Sequence, residues 1–181
     1  MIGLSQVLRS DGQLNAAEKA VSRATDLLPE KGQEPNVSQS HRFLGDIYHD
    51  KGERERALHH YQVALGISSP FNWQDHLFWI HMSLALLFLD EDSFDDATAH
   101  IEQVKSCAVE NRYGLGRVME LQAQLWYRQG RLEAAWSEVL LALETFEKLG
   151  ASKDVERCRD ILLWDIEDAV EKQLELGEVR S

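Results

Sequence analysis

The chain has 181 residues, a length that suits one domain or a short array of repeated units. Its 31 acidic side chains against 19 Lys and Arg give a net charge of −12. That argues against binding nucleic-acid phosphates or anionic lipid, both of which call for a basic footprint.

With only three prolines and 11 glycines, most of the chain can be helical. Apolar spacing and turn chemistry predict helices over about 1–11 and 14–28, 38–51 and 54–67, 73–90 and 94–109, 112–129 and 132–149. The connection from Pro29 to Pro35 is a polar segment with turn residues at both ends. The greasiest stretch, 71–89, is interrupted by Asn72, Gln74, Asp75, His76, His81 and Ser83, so no membrane span is expected. A last helix near 153–175 carries the stripe Val155, Cys158, Leu162, Ile166, Ala169 and Val170, with Trp164 on its other side. The start of the sequence lacks the pattern of a signal peptide, and Cys107 and Cys158 make neither a CxxC motif nor a disulfide framework. A cytoplasmic protein is the expectation.

Four segments of the chain share one pattern. Asp11-Gly12-Gln13-Leu14-Asn15-Ala16-Ala17, Lys51-Gly52-Glu53-Arg54-Glu55-Arg56-Ala57, Asp92-Ser93-Phe94-Asp95-Asp96-Ala97 and Gln129-Gly130-Arg131-Leu132-Glu133-Ala134-Ala135 are each a short turn followed by a helix start. The alanines Ala17, Ala57, Ala97 and Ala135 are spaced by 40, 40 and 38 residues. Four residues on come Val21, Tyr61, Ile101 and Val139, and three further Ala24, Ala64, Val104 and Ala142. Upstream lie Leu4/Ser5/Leu8, Leu44/Gly45/Tyr48, Leu84/Ala85/Phe88 and Gln122/Ala123/Trp126. Large, small and aromatic residues at i, i+1 and i+4 are what two antiparallel helices need where they cross.

The pattern resembles the tetratricopeptide repeat (TPR), most fully in the second unit: Leu44, Gly45, Tyr48, Gly52, Ala57, Tyr61, Ala64 and Pro70. Its period exceeds the usual 34 residues, as in the long-helix variety called the MalT-like repeat region, often found beside STAND or NACHT nucleotide-binding cores. The resemblance implies an all-α, right-handed solenoid of about four helix pairs (1–30, 38–70, 73–110 and 112–150). A C-terminal capping helix (151–176) and a tail (177–181) would follow.

The chemistry of catalysis and metal binding is missing from this sequence. His59 and His60 are adjacent on a helix and point about 100° apart, while His41 and His49 lie two turns apart. There is no HExxH motif, and the acidic run 90–96 puts Phe94 where a calcium ligand belongs. Gly114-Leu115-Gly116 is half a dinucleotide fingerprint with no strand before it, and no phosphate-binding loop occurs. Cys107 ends a helix beside Glu110 and Cys158 lies on an apolar stripe, so both read as packing residues and not as nucleophiles. Catalytic residues, cofactor and metal are therefore expected to be none.

In proteins of this kind the first helix of each pair lines a concave groove. By register the resemblance places Gln6 and Arg9, then Arg42, Asp46, His49 and Asp50, then Met82, Leu86, Leu89 and Asp90, then Glu120, Gln124, Tyr127 and Arg128 on that groove. The carboxylate clamp of chaperone-binding repeats is absent, because its positions hold Ile2, Gln6, Arg42 and Asp46. An apolar centre of Met82, Leu86 and Leu89 flanked by Arg42 and Arg128 implies a protein–protein interaction module that takes a peptide or helix. The alternative is a sensor segment of a STAND/NACHT-type ATPase. The first helix, with no polar covering element before it, is expected to self-associate.

Overall fold

A computed structural model of the protein describes residues 2–27, 34–108 and 111–162. Among the described residues the chain is all-helical, with no strand. The helices are α1 (Ile2–Ser10), α2 (Leu14–Asp26), α3 (Glu34–Asp50), α4 (Arg54–Ser68), α5 (Gln74–Asp90), α6 (Phe94–Cys107), α7 (Arg112–Arg128), α8 (Leu132–Leu149) and α9, described over 152–162. A 3-10 turn, Ser69–Phe71, follows α4. Helix α3 starts four residues before the predicted 38, taking Pro35 into its first turn. Proline is tolerated there because a first-turn amide has no partner within the helix. Trp164, Ile166, Ala169 and Val170 of the predicted last helix, and the tail 177–181, lie outside the described residues.

The four repeated turns share one backbone solution. Gly12, Gly52 and Gly130 all have φ of 72–73°, and Asp92 takes the same left-handed region at 55°. Each turn closes on the preceding helix with a pair of hydrogen bonds: Gly52 N to His49 O and Glu53 N to Tyr48 O, for example, or Asp92 N to Leu89 O and Ser93 N to Phe88 O. These are the paired bonds of a Schellman stop, which satisfies the last helical carbonyls. Asp92 can stand in for glycine because Asp is among the residues that visit this region.

Contacts divide the chain into two compact units, Met1–Cys107 and Ala108–Ser181. In the first, each helix packs on the next, and α3 also packs on α5. A core runs from Ala17 and Val21 of α2 through Leu44, Ile47 and Tyr48 of α3 and Tyr61 of α4 to Ile80 and Leu84 of α5. The four register alanines are buried, and the small residue facing each helix crossing is matched in size to its counterpart sixteen residues on. Ser5 goes with Val21, Ala85 with Ile101 and Ala123 with Val139, while Gly45 goes with the much larger Tyr61. A Cβ on Gly45 would stand 2.4 Å from Tyr61 Cε1, so only glycine fits there.

In the second unit α7 packs on α8, and α9 adds its apolar side. Val155 and Cys158 join Ala142 and Phe146, and Ile161 joins Ala123 and Val139. Glu120, only 2 % exposed, accepts from Arg117 at 2.8 Å and is held by Arg157 of α9.

Candidate functional site

Polar side chains tie successive first helices together at two recurring sequence separations. Arg9 reaches Asp46 and Asp50, at separations of 37 and 41 residues. Ser83 reaches Asp46 at 37, and His49 reaches Asp90 at 41. In the second unit, Arg157 meets Glu120 at 37 and Tyr113 meets Asp154 at 41. Helix α9 therefore stands to α7 at the same residue spacing that separates α1 from α3 and α3 from α5.

Asp46 is the meeting point in the first unit. Its side chain, 7 % exposed, accepts from Tyr61 Oη at 2.9 Å, Ser83 Oγ at 2.8 Å and Arg42 at 2.9 Å, with Arg9 at 3.3 Å. Burial, then the Asp46 charge, push the Tyr61 phenol well above its ordinary range and keep it a donor. The register predicts Asp46 as a groove residue that would repel a ligand carboxylate. The structure instead spends its oxygens on four protein donors.

Above this network, α3 and α5 border a pocket. Gln39 and Arg42 line it from α3, and Asp75, His76, Trp79 and Ile80 from the first turns of α5. Trp79 is 37 % exposed and packs edge-on against Phe78 with ring centres 5.1 Å apart. The Arg42 guanidinium lies 4.2 Å from the centre of the Phe43 ring. Burial, followed by the Arg42 charge, holds His76 below the usual imidazole range, so it enters the pocket as a neutral ring at pH 7.

Of the predicted groove residues in this unit, Arg42 lines the pocket, and His49 pairs with Asp90 at 2.9 Å at the far end of the helices. Leu86 is half-buried. Met82 and Leu89 are a correction: at 3 % and 2 % exposed they belong to the core. Helix α5 is apolar nearly all round and is covered on several sides, so its large side chains are absorbed into packing. Gln124 and Tyr127 are half-buried and Arg128 is exposed, all on α7 in the second unit. The register reading misses Trp79, His76 and Gln39; an aromatic ring on the polar-flanked first turns of α5 was the available signal.

Cys158 is fully buried, and burial followed by the Glu120 charge push its thiol up to about 12. Among the described residues no three His, Cys, Asp or Glu side chains converge as a metal site would require, and no described helix is long and apolar enough to cross a membrane. Compared with models of protein families and with curated proteins, the chain matches none.

Proposed function

We propose that the protein is a tetratricopeptide-like helical-repeat module that binds a peptide or helix of another protein, with no catalytic activity of its own. The carrying observation is the pocket between α3 and α5, where a half-exposed tryptophan and an arginine already held by Asp46 border a neutral histidine. Trp and Arg fixed by their own surroundings are the residues that most often dominate protein interfaces, because little freedom is lost when a partner arrives.

Support for the repeat-array reading comes from the 37- and 41-residue separations of the polar ties and from four turns with one conformation. On this reading the repeats belong to the right-handed solenoid class of helix-pair arrays. The test is affinity capture with the full chain, compared across Trp79→Ala, Arg42→Glu and the exposed α4 control Gln62→Ala. Loss of the same captured partner in the first two, with the control unchanged and all three folded, is expected. Equal capture by all four proteins overturns the proposal.

The 40-residue period supports a second reading, a repeat segment of a STAND/NACHT-type signalling ATPase. A coding sequence that continues upstream into further repeats and a phosphate-binding loop would establish it.

A further inference from the structure

Four of the histidines are paired by the fold. His41 Nδ1 faces His60 Nδ1 at 2.9 Å between α3 and α4, and His81 Nδ1 faces His100 Nδ1 at 2.9 Å between α5 and α6. Ring centres stand 5.1 Å apart in both pairs, with planes inclined by 35° and 33°. Nitrogens this close with ring centres this far apart place the rings head-on, the arrangement of an N–H···N hydrogen bond. An aromatic ring lies nearly parallel to the second histidine each time: Tyr48 on His60 at 5.3 Å and Phe88 on His100 at 5.5 Å.

The recurrence is selective. Segments 41–60 and 81–100 agree at only five of twenty positions: His41/His81, Leu44/Leu84, Asp50/Asp90, Ala57/Ala97 and His60/His100. The leucines and alanines are buried at the helix crossing, as packing requires. Helix packing makes no comparable demand for an imidazole at both ends of the segment, yet both are kept while fifteen neighbours differ.

A neutral imidazole has one N–H and one lone pair, so a head-on pair holds while one Nδ1 carries a hydrogen and the other does not. The first added proton goes to the outer Nε2 of the donor ring and leaves the bond in place. A proton on the acceptor's Nδ1 ends it, setting N–H against N–H and two positive charges within contact. We propose that each histidine pair is an acid-labile clasp between the two helices of its repeat, closed near neutral pH and opened by protonation of the acceptor ring.

The surroundings support the clasp. Around the first pair, His59 and Arg56 of α4 oppose further positive charge, while Glu18 of α2, which accepts from Tyr48 and is tied to Lys51, favours it. Burial, then His41 and His59, bring His60 down to about 4, and burial followed by His59 also lowers His41. Around the second pair, burial and then His100 bring His81 down to about 4; burial lowers His100 against the pull of Asp96. An unfolded histidine titrates near 6.5. The unfolded chain therefore binds these protons first, and the clasps' stabilisation is whole above pH 6.5 and drains as pH falls toward 4.

The inference is independent of what the α3–α5 pocket binds. Long-range nitrogen–proton NMR of the whole chain at pH 7.5 should show one Nδ1–H and one Nε2–H ring in each pair, with one ring of each pair titrating below pH 5. The double variant His60→Gln/His81→Gln should lose at least half of the wild-type fall in Tm between pH 7 and 4.5, while the exposed, non-titrating control Gln62→Ala keeps it. Four rings that titrate independently near 6.5, or an unchanged slope in the double variant, overturn the proposal. If the double variant fails to fold, the NMR result on the wild-type chain decides.

Discussion

Tyr61 donates its hydroxyl hydrogen to Asp46 Oδ1 at 2.9 Å, and that bond joins a second helix to the carboxylate on which three first helices converge. Arg9 arrives from α1, Arg42 from α3 itself and Ser83 from α5. Removing the carboxylate with Asp46→Ala takes the acceptor from the half-buried Arg42 guanidinium and from two hydroxyls, while Arg9 keeps Asp50, a loss of about 3–5 kcal/mol by the usual cost of breaking a buried pair. Tyr61→Phe removes one neutral donor and should cost about 1–2 kcal/mol. Urea unfolding midpoints at constant m-value measure both, and the ordering matters: the carboxylate variant must be the weaker.

Gly45→Ala places a methyl group against the Tyr61 ring, 2.4 Å from Cε1 before relaxation. Overpacking of this sort costs about 1–3 kcal/mol. Combining it with Tyr61→Val recreates the small–branched combination that Ala123 and Val139 form in the second unit. The double variant should be less destabilised than the sum of the two singles by about 1 kcal/mol or more, a coupling that a double-mutant cycle reads directly.

Gly52 has φ of 72° and nothing within 4 Å of where its Cβ would lie. Gly52→Ala should therefore lose about 1 kcal/mol through backbone conformation alone. The reverse change at the equivalent turn, Asp92→Gly, relieves the same strain. Thermal unfolding should move in opposite directions for the two variants.

Cys158 should resist thiol reagents at pH 8 in the folded protein, because burial and Glu120 keep its thiol protonated far above that pH. Labelling followed by mass spectrometry is expected to modify it only as denaturant approaches the unfolding midpoint.

The turns and the alanine register were legible in the sequence because each depends on one local demand: a left-handed residue at the helix stop and a small side chain at the crossing. Even the exception, Asp92, keeps the same backbone. The groove was less legible. Met82 and Leu89 occupy groove positions by register, yet α5 is covered on several sides, and a helix apolar all round gives no sign of which side stays open. Asp46 likewise reads as a surface charge until Tyr61 and Ser83, fifteen and thirty-seven residues away, are seen to point at it. The histidine pairs needed the relative rotation of antiparallel helices, which residue spacing alone does not supply.

The 37- and 41-residue separations act as a ruler laid along the chain, and a ruler tolerates error only where it is not marked. Inserting a residue in the segment between α2 and α3 changes the count but leaves Arg9, Asp46 and Asp50 on their own rigid helices, free to meet as before. Inserting one inside α3 between Arg42 and Asp46 turns the following side chains by about 100° and carries Asp46 and Asp50 off the face that Arg9 reaches. An added residue is thus expected to be tolerated in that connection and not inside α3, whose full residue count the ties require.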